Sequence, residues 1–143
     1  MNIEAAISTL MTENLVTVAP LASLSEVKRL FEAKGIHHLP VVRYKSIVGI
    51  ISQTDLNHFI SLTAKDRGDH FIEAAKLRAW TVEEVMTKDL ETVSPDEPIR
   101  KALELFAKNK FHAVPVVDGE ELKGIVTTHD IINAILESKA TLS

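Results

Sequence analysis

The chain has no cysteine in its 143 residues, which rules out disulfides and thiolate metal centres and permits, without proving, a reducing compartment. It has no basic excess either. Sixteen Lys and Arg face 20 Asp and Glu, a formal charge of −4, so the positive footprint that nucleic acid requires is missing. No apolar run is long enough to cross a bilayer. The opening MNIEAAISTL lacks the basic start and long apolar core of a secretion signal. There is no Gly-rich phosphate loop, no Gly-x-Ser-x-Gly elbow and no His-Glu-x-x-His. An enzyme would need a nucleophile and a base in mutual reach, and the chain offers no convincing pair. The expectation is a soluble, cytoplasmic, non-catalytic protein with neither nucleic acid nor membrane as partner.

What the chain does have is an internal repeat. Met86–Ile131 laid back by 75 positions falls on Met11–Leu56 without a gap. Met-Thr, Thr-Val, Pro, Leu-Phe, His, Pro-Val-Val, Gly-Ile and Asp all coincide, and about a third of the paired positions are identical. With 45% apolar and 25% charged residues the chain is ordinary for a globular protein. Two copies of roughly fifty residues are each marginal alone, so they are expected to share one core.

The pattern predicts helix–strand–helix–strand–strand–helix in each copy. Residues 3–11 suggest a short helix with Ile3, Ile7, Leu10 and Met11 apolar. Its equivalent opens on Thr81 with Glu84 three residues on, a capping-box signature. Leu15–Val18 and Leu90–Val93 are short strand candidates, stopped by prolines. Ser23 caps a helix that runs to Lys34 and stops at Gly35, with Leu24, Val27, Leu30 and Phe31 on one face. The counterpart begins near Pro98 and buries Ile99, Ala102, Leu103 and Phe106.

Hairpins follow: His38–Val42 with Ile47–Ser52, and Ala113–Val117 with Leu122–Thr127. Asp118-Gly119 is a strong turn signal. Arg43-Tyr44-Lys45-Ser46 has no glycine, so a looser turn is expected there. The run 47–52 is apolar enough for a strand covered on both faces. Mid-strand Gly49 and Gly124 mark a bulge or a close approach of another group. A helix closes each copy, about 55–63 and 130–137. Residues 63–79 have no counterpart: AKDRGDH predicts a turn, and FIEAAKLRAW a helix packing through Phe71, Ala75 and Leu77.

Chemistry concentrates where the last strand of each copy meets its helix. There Ser52 lies three before Asp55, and Thr127 three before Asp130. An ionised Asp accepts only, and its two oxygens suit the vicinal hydroxyls of a ribose. The neighbouring hydroxyl and free amides of a helix start suit a phosphate. The alternative is that Thr54, Asp55 and Asp130 are helix caps and that Ser52 and Thr127 end a strand. His37, His38 and His112 could form a metal cluster, but no carboxylate or thiol stands beside them at ligand spacing. Phosphate contact or partial burial is the stronger reading, and no metal site is expected. His58, His70 and His129 have no repeat partner and default to surface roles.

The spaced set Met-Thr, Thr-Val-x-Pro, apolar helix, Pro-Val-Val and Gly-Ile-x-Ser/Thr-x-x-Asp resembles the CBS domain, the family named from cystathionine β-synthase. Two copies resemble its tandem pair, with residues 1–63 as repeat 1, 64–80 as a partly helical linker, and 81–143 as repeat 2 with a C-terminal tail. The resemblance implies an α+β fold, each repeat α-β-α-β-β-α, packed with pseudo-twofold symmetry. It also implies clefts between the repeats that in many members bind AMP, ADP, ATP or S-adenosylmethionine, as regulatory ligands rather than obligatory cofactors. Position by position, Asp55 and Asp130 become ribose ligands. Ser52, Thr127, His37, His112 and His38 become phosphate or ribose contacts. Ile36, Phe111, Pro40 and Pro115 match positions flanking the adenine. Where such members often carry arginine this chain has His38 and Ala113, which argues against tight triphosphate binding on the Ala113 side. The family commonly pairs through helices, so a homodimer is expected. No catalytic or membrane domain accompanies the repeats, so the regulated target is expected to be another protein, of unknown identity. The alternative is a ligand-free dimerisation or interaction module.

Overall fold

The computed structural model describes residues 1–63, 70–108 and 111–142. The chain divides into two compact units, Val16–Leu90 and Met1–Leu15 with Glu91–Ser143. The division does not follow the repeat. Each unit holds the body of one repeat and the opening segment of the other.

In the Val16–Leu90 unit, helix α1 (Leu24–Lys34) starts as its sequence requires. The Ser23 hydroxyl accepts from the Glu26 amide, and Gly35 ends the helix at φ +63°. A hairpin follows, β1 (His38–Arg43) and β2 (Ser46–Ser52), then α2 (Gln53–Thr63) and α3 (His70–Ala79). Gly49, Ile50 and Ile51 are consecutively buried on β2, as its unbroken apolar run implies. The single-turn helix α4 (Val82–Val85) opens with the Thr81 amide donating to Glu84 Oε1 at 3.0 Å. Beyond it Thr87 pairs with Ile50 on β2. The core collects Leu24, Val27, Phe31, Leu39, Val41, Ile51, Leu56 and Val82, with Val85 and Met86 packed against it.

The second unit repeats the plan: α5 (Ile99–Ala107), the hairpin β3 (Ala113–Asp118) and β4 (Glu121–Thr127), and α6 (Thr128–Leu142). Its core collects Ile7, Val93, Ile99, Ala102, Leu105, Val114, Val116, Val126 and Ile131, with Leu10 and Met11 against it. The chain is α+β, as the pattern implied. The expected single core is replaced, among the described residues, by two, each completed by the other repeat's opening segment.

Other expectations need correction. Residues 3–11 form only one 3₁₀ turn, Ile7–Thr9. The Ile7 and Ser8 amides donate instead to the carbonyls of Glu97 and Pro95, at 2.8 and 3.0 Å, so they cannot extend a helix. The strand candidates shrink to single parallel bridges, Val18 with Val41 and Val93 with Val116. The turn without glycine is not looser. Arg43 pairs with Ser46 as Asp118 pairs with Glu121, leaving two residues in each loop. Tyr44 takes φ 60° where Gly119 takes 64°. In α3 only Leu77 is buried, while Ala75 and Phe71 are exposed, Phe71 at 81%. The turn expected within residues 64–69 lies outside the described residues.

Candidate functional site

Each unit runs from the second strand of its hairpin into the following helix without a spacer residue, β2 into α2 and β4 into α6. The Ser52 amide donates to Asp55 Oδ2 at 2.8 Å, and the Asp55 amide donates to Ser52 Oγ at 3.0 Å. The Thr127 amide donates to Asp130 Oδ2 at 2.9 Å, and the Asp130 amide to Thr127 Oγ1 at 3.1 Å. These are reciprocal capping boxes with Asp in the place of Glu. Gln53 and Thr128 add a further constraint, since their amides donate to the carbonyls of His37 and His112 at 2.9 and 3.1 Å. The residues before β1 and β3 are thereby pinned beside the helix starts. His38 pairs with Ser52, and Ala113 with Thr127.

The fold thus brings Asp55, Ser52, His37 and His38 together in one unit, and Asp130, Thr127 and His112 in the other. The caps are Ser52 and Thr127, not the expected Thr54, Asp55 and Asp130: the two aspartates take the third helical position of each box, and Thr54 is exposed beside them. Each box uses one oxygen of its carboxylate. The amides of Gln53, Asp55, Thr128 and Asp130 already have protein acceptors. Beyond the caps, the acceptor capacity of each Oδ1, the proton of each capping hydroxyl and, among the described residues, the amides of Thr54 and His129 are left for other partners. His37 and His112 are exposed and His38 half-buried. Ile36 and Phe111 are half-buried and pack against their respective cores. Pro40 and Pro115 are buried within β1 and β3. Among the described residues no three His, Asp or Glu side chains converge as a metal site would require.

Thr12 is the residue that sequence reasoning missed. Its hydroxyl donates to Asp130 Oδ1 at 3.1 Å, across 118 positions of chain. The segment reaches β4 through paired bonds: the Thr12 amide to the Ile125 carbonyl at 2.8 Å, and the Ile125 amide back to Thr12 at 3.0 Å. The approach is close because Gly124 has no side chain. A Cβ there would lie 2.9 Å from both Met11 Sδ and the Thr12 carbonyl. Gly49 admits Met86 and Thr87 in the same way, with the Thr87 carbonyl 3.0 Å from a would-be Cβ. The signal was the repeated Met-Thr together with the two mid-strand glycines.

Among the described residues the shortest ion pairs lie elsewhere. Arg29 donates twice to Glu26, at 3.1 and 2.6 Å, and these bonds hold the Glu26 carboxyl below its usual range. Arg100 bridges Glu4 and Glu104 at 2.8 and 2.7 Å, which raises its already high pKa.

The repeated capping box, the paired glycines and the α+β units define a duplicated domain, and comparison with known proteins identifies it. The CBS domain model matches residues 7–62 and 82–137. The chain belongs to the CBS domain family. A homoserine O-acetyltransferase from Methanohalobium evestigatum is 33% identical over 133 residues, covering 92% of this chain. The chain spans only 24% of that relative's length. Among solved structures, the CBS-pair protein CBSX2 from Arabidopsis thaliana is 28% identical with a TM-score of 0.81, covering 95% of this chain and 97% of that one. CBSX2 in complex with AMP matches at 26% identity and a TM-score of 0.76, covering 94% of this chain and 98% of that one. The CBS domain pair of protein MJ0100, in complex with 5′-methylthioadenosine and S-adenosyl-L-methionine, is 26% identical with a TM-score of 0.77, covering 93% of this chain and 97% of that one. Among the described residues no helix is long and apolar enough to cross a membrane.

Proposed function

We propose that this chain is a regulatory module that binds an adenosine-containing ligand at its Ser/Thr-x-x-Asp junctions and signals to a regulated protein through the shape of a cytoplasmic homodimer. The observation that carries the reading is the carboxylate of each capping box. Only Oδ2 is needed for the cap, which leaves Oδ1 able to take a proton from a ribose hydroxyl. The ligands seen in the similar structures support it, since AMP, 5′-methylthioadenosine and S-adenosylmethionine share an adenosine and its diol but not a phosphate. AMP, ADP, ATP and S-adenosylmethionine are all candidates. Ala113 in place of a cation disfavours a triphosphate at the Asp130 site.

A thermal-shift panel of AMP, ADP, ATP, NAD and S-adenosylmethionine tests the reading. Ligand at a hundredfold its Kd stabilises by about 2.7 kcal/mol. Asp55→Asn and Asp130→Asn keep an oxygen for the cap but lose the charge, so the double variant should melt near the wild type and lose the ligand shift. If no ligand moves the wild-type melting temperature at millimolar concentration, the reading fails.

A second reading has one observation in its favour. Ile132, Ile135 and Leu136 form an exposed apolar stripe on α6, at the spacing of one helix face. A ligand-free dimerisation module would show by light scattering as a dimer whose melting none of the five ligands alters.

A further inference from the structure

The two carboxylates occupy corresponding positions in the repeat, yet they are not equally free. Asp130 accepts on both oxygens, from the Thr127 amide on Oδ2 and from the Thr12 hydroxyl on Oδ1. Asp55 accepts the Ser52 amide on Oδ2, and among the described residues no donor reaches its Oδ1. The residue corresponding to Thr12 is Thr87. It is bonded to β2 through its backbone, as Thr12 is to β4, but among the described residues its hydroxyl makes no bond to Asp55. The difference lies in the side chains, not in the chain path.

We infer that Thr12 is a positioning residue that makes the two sites unequal: its hydroxyl holds the Asp130 oxygen that the ligand's diol needs, so ligand fills the Asp55 site first. The inference rests on the adenosine-binding reading above. A carboxylate grips a vicinal diol best when each oxygen takes one hydroxyl proton. At both sites the diol shares Oδ2 with the capping amide, but at Asp55 the outer oxygen is open. At Asp130 the diol must share Oδ1 with Thr12 or displace it. Displacement forfeits a charge-assisted hydrogen bond, of the class that is stronger than a neutral one. Thr12 is exposed, so water compensates part of that loss, and the expected difference between the sites is about tenfold rather than a hundredfold.

Calorimetric titration with AMP separates the outcomes. Wild type should show two unequal affinities, with Asp55→Ala removing the tighter and Asp130→Ala the weaker. In the Asp55→Ala background, Thr12→Val removes the hydroxyl at constant shape and should tighten the remaining site about tenfold. Thr12→Ser, which keeps the hydroxyl, should leave it unchanged. In the Asp130→Ala background Thr12→Val should do nothing. If Thr12→Val leaves the Asp130 site unchanged or weakens it, the positioning role is overturned while nucleotide binding stands. If AMP binds wild type but neither aspartate variant alters it, or if AMP does not bind at all, the ribose reading and this inference fall together.

Discussion

Gly124→Ala is the sharpest test of how the opening segment of repeat 1 is held against β4. The added Cβ would sit 2.9 Å from the Thr12 carbonyl, 2.9 Å from Met11 Sδ and 3.2 Å from Met11 Cγ. A methionine side chain yields readily. The Thr12 carbonyl does not, because it accepts the Ile125 amide at 3.0 Å while the Thr12 amide donates to the Ile125 carbonyl at 2.8 Å. Moving the carbonyl weakens both bonds. Overpacking of this kind costs about 1–3 kcal/mol. Replacing glycine by alanine returns about 0.4–1 kcal/mol through the unfolded chain. The net expectation is a loss of about 1–2 kcal/mol, read as a melting temperature lower by about 3–8 °C or as a lower urea midpoint with unchanged slope. Met11→Ala in the same chain should not restore stability, since the obstruction is backbone. A Gly124→Ala protein as stable as wild type would refute the reasoning. Full recovery by Met11→Ala would show that the sulfur, not the carbonyl, is the obstacle.

Two further outcomes follow from local geometry. Tyr44 is 98% exposed at φ 60°, so Tyr44→Gly relieves backbone strain at no packing cost. It should raise stability by about 0.5–1 kcal/mol in urea unfolding, and a lower midpoint would count against a strained turn. Glu26 has its carboxyl pKa lowered by its bonds to Arg29. The stability it contributes is therefore present above its ordinary value and lost as the pH falls through the lowered one. The small gap in urea midpoint between wild type and Glu26→Gln should close on acidification, and a gap that widens would reverse the assignment.

Local signals were legible where a residue's role is settled by its neighbours in sequence. Ser23 and Gly35 bounded α1, Thr81 and Glu84 formed the expected box, and Gly49 and Gly124 marked a close approach. The Ser-x-x-Asp and Thr-x-x-Asp spacings located both junctions, but the caps are Ser52 and Thr127 rather than the expected Thr54, Asp55 and Asp130. The other misreadings share a cause. The helix expected over 3–11 lost its amides to the loop at 95–97, and the strand candidates keep one rung each because one residue alone reaches its partner. Phe71 and Ala75 showed helical spacing on a helix that buries only Leu77.

By itself the sequence determined that there are two copies, that each closes with a strand followed by a helix, and that a hydroxyl residue lies three before an aspartate where the two meet. Periodicity, turn chemistry and capping act over a few residues, so they can be read along the chain. Only the tertiary structure decided that each unit is completed by the other repeat's opening segment, and that a threonine 118 positions away occupies one carboxylate and not its counterpart. Those choices depend on which distant backbone fits against a bare glycine strand. That fit is set by packing, and no local spacing records it.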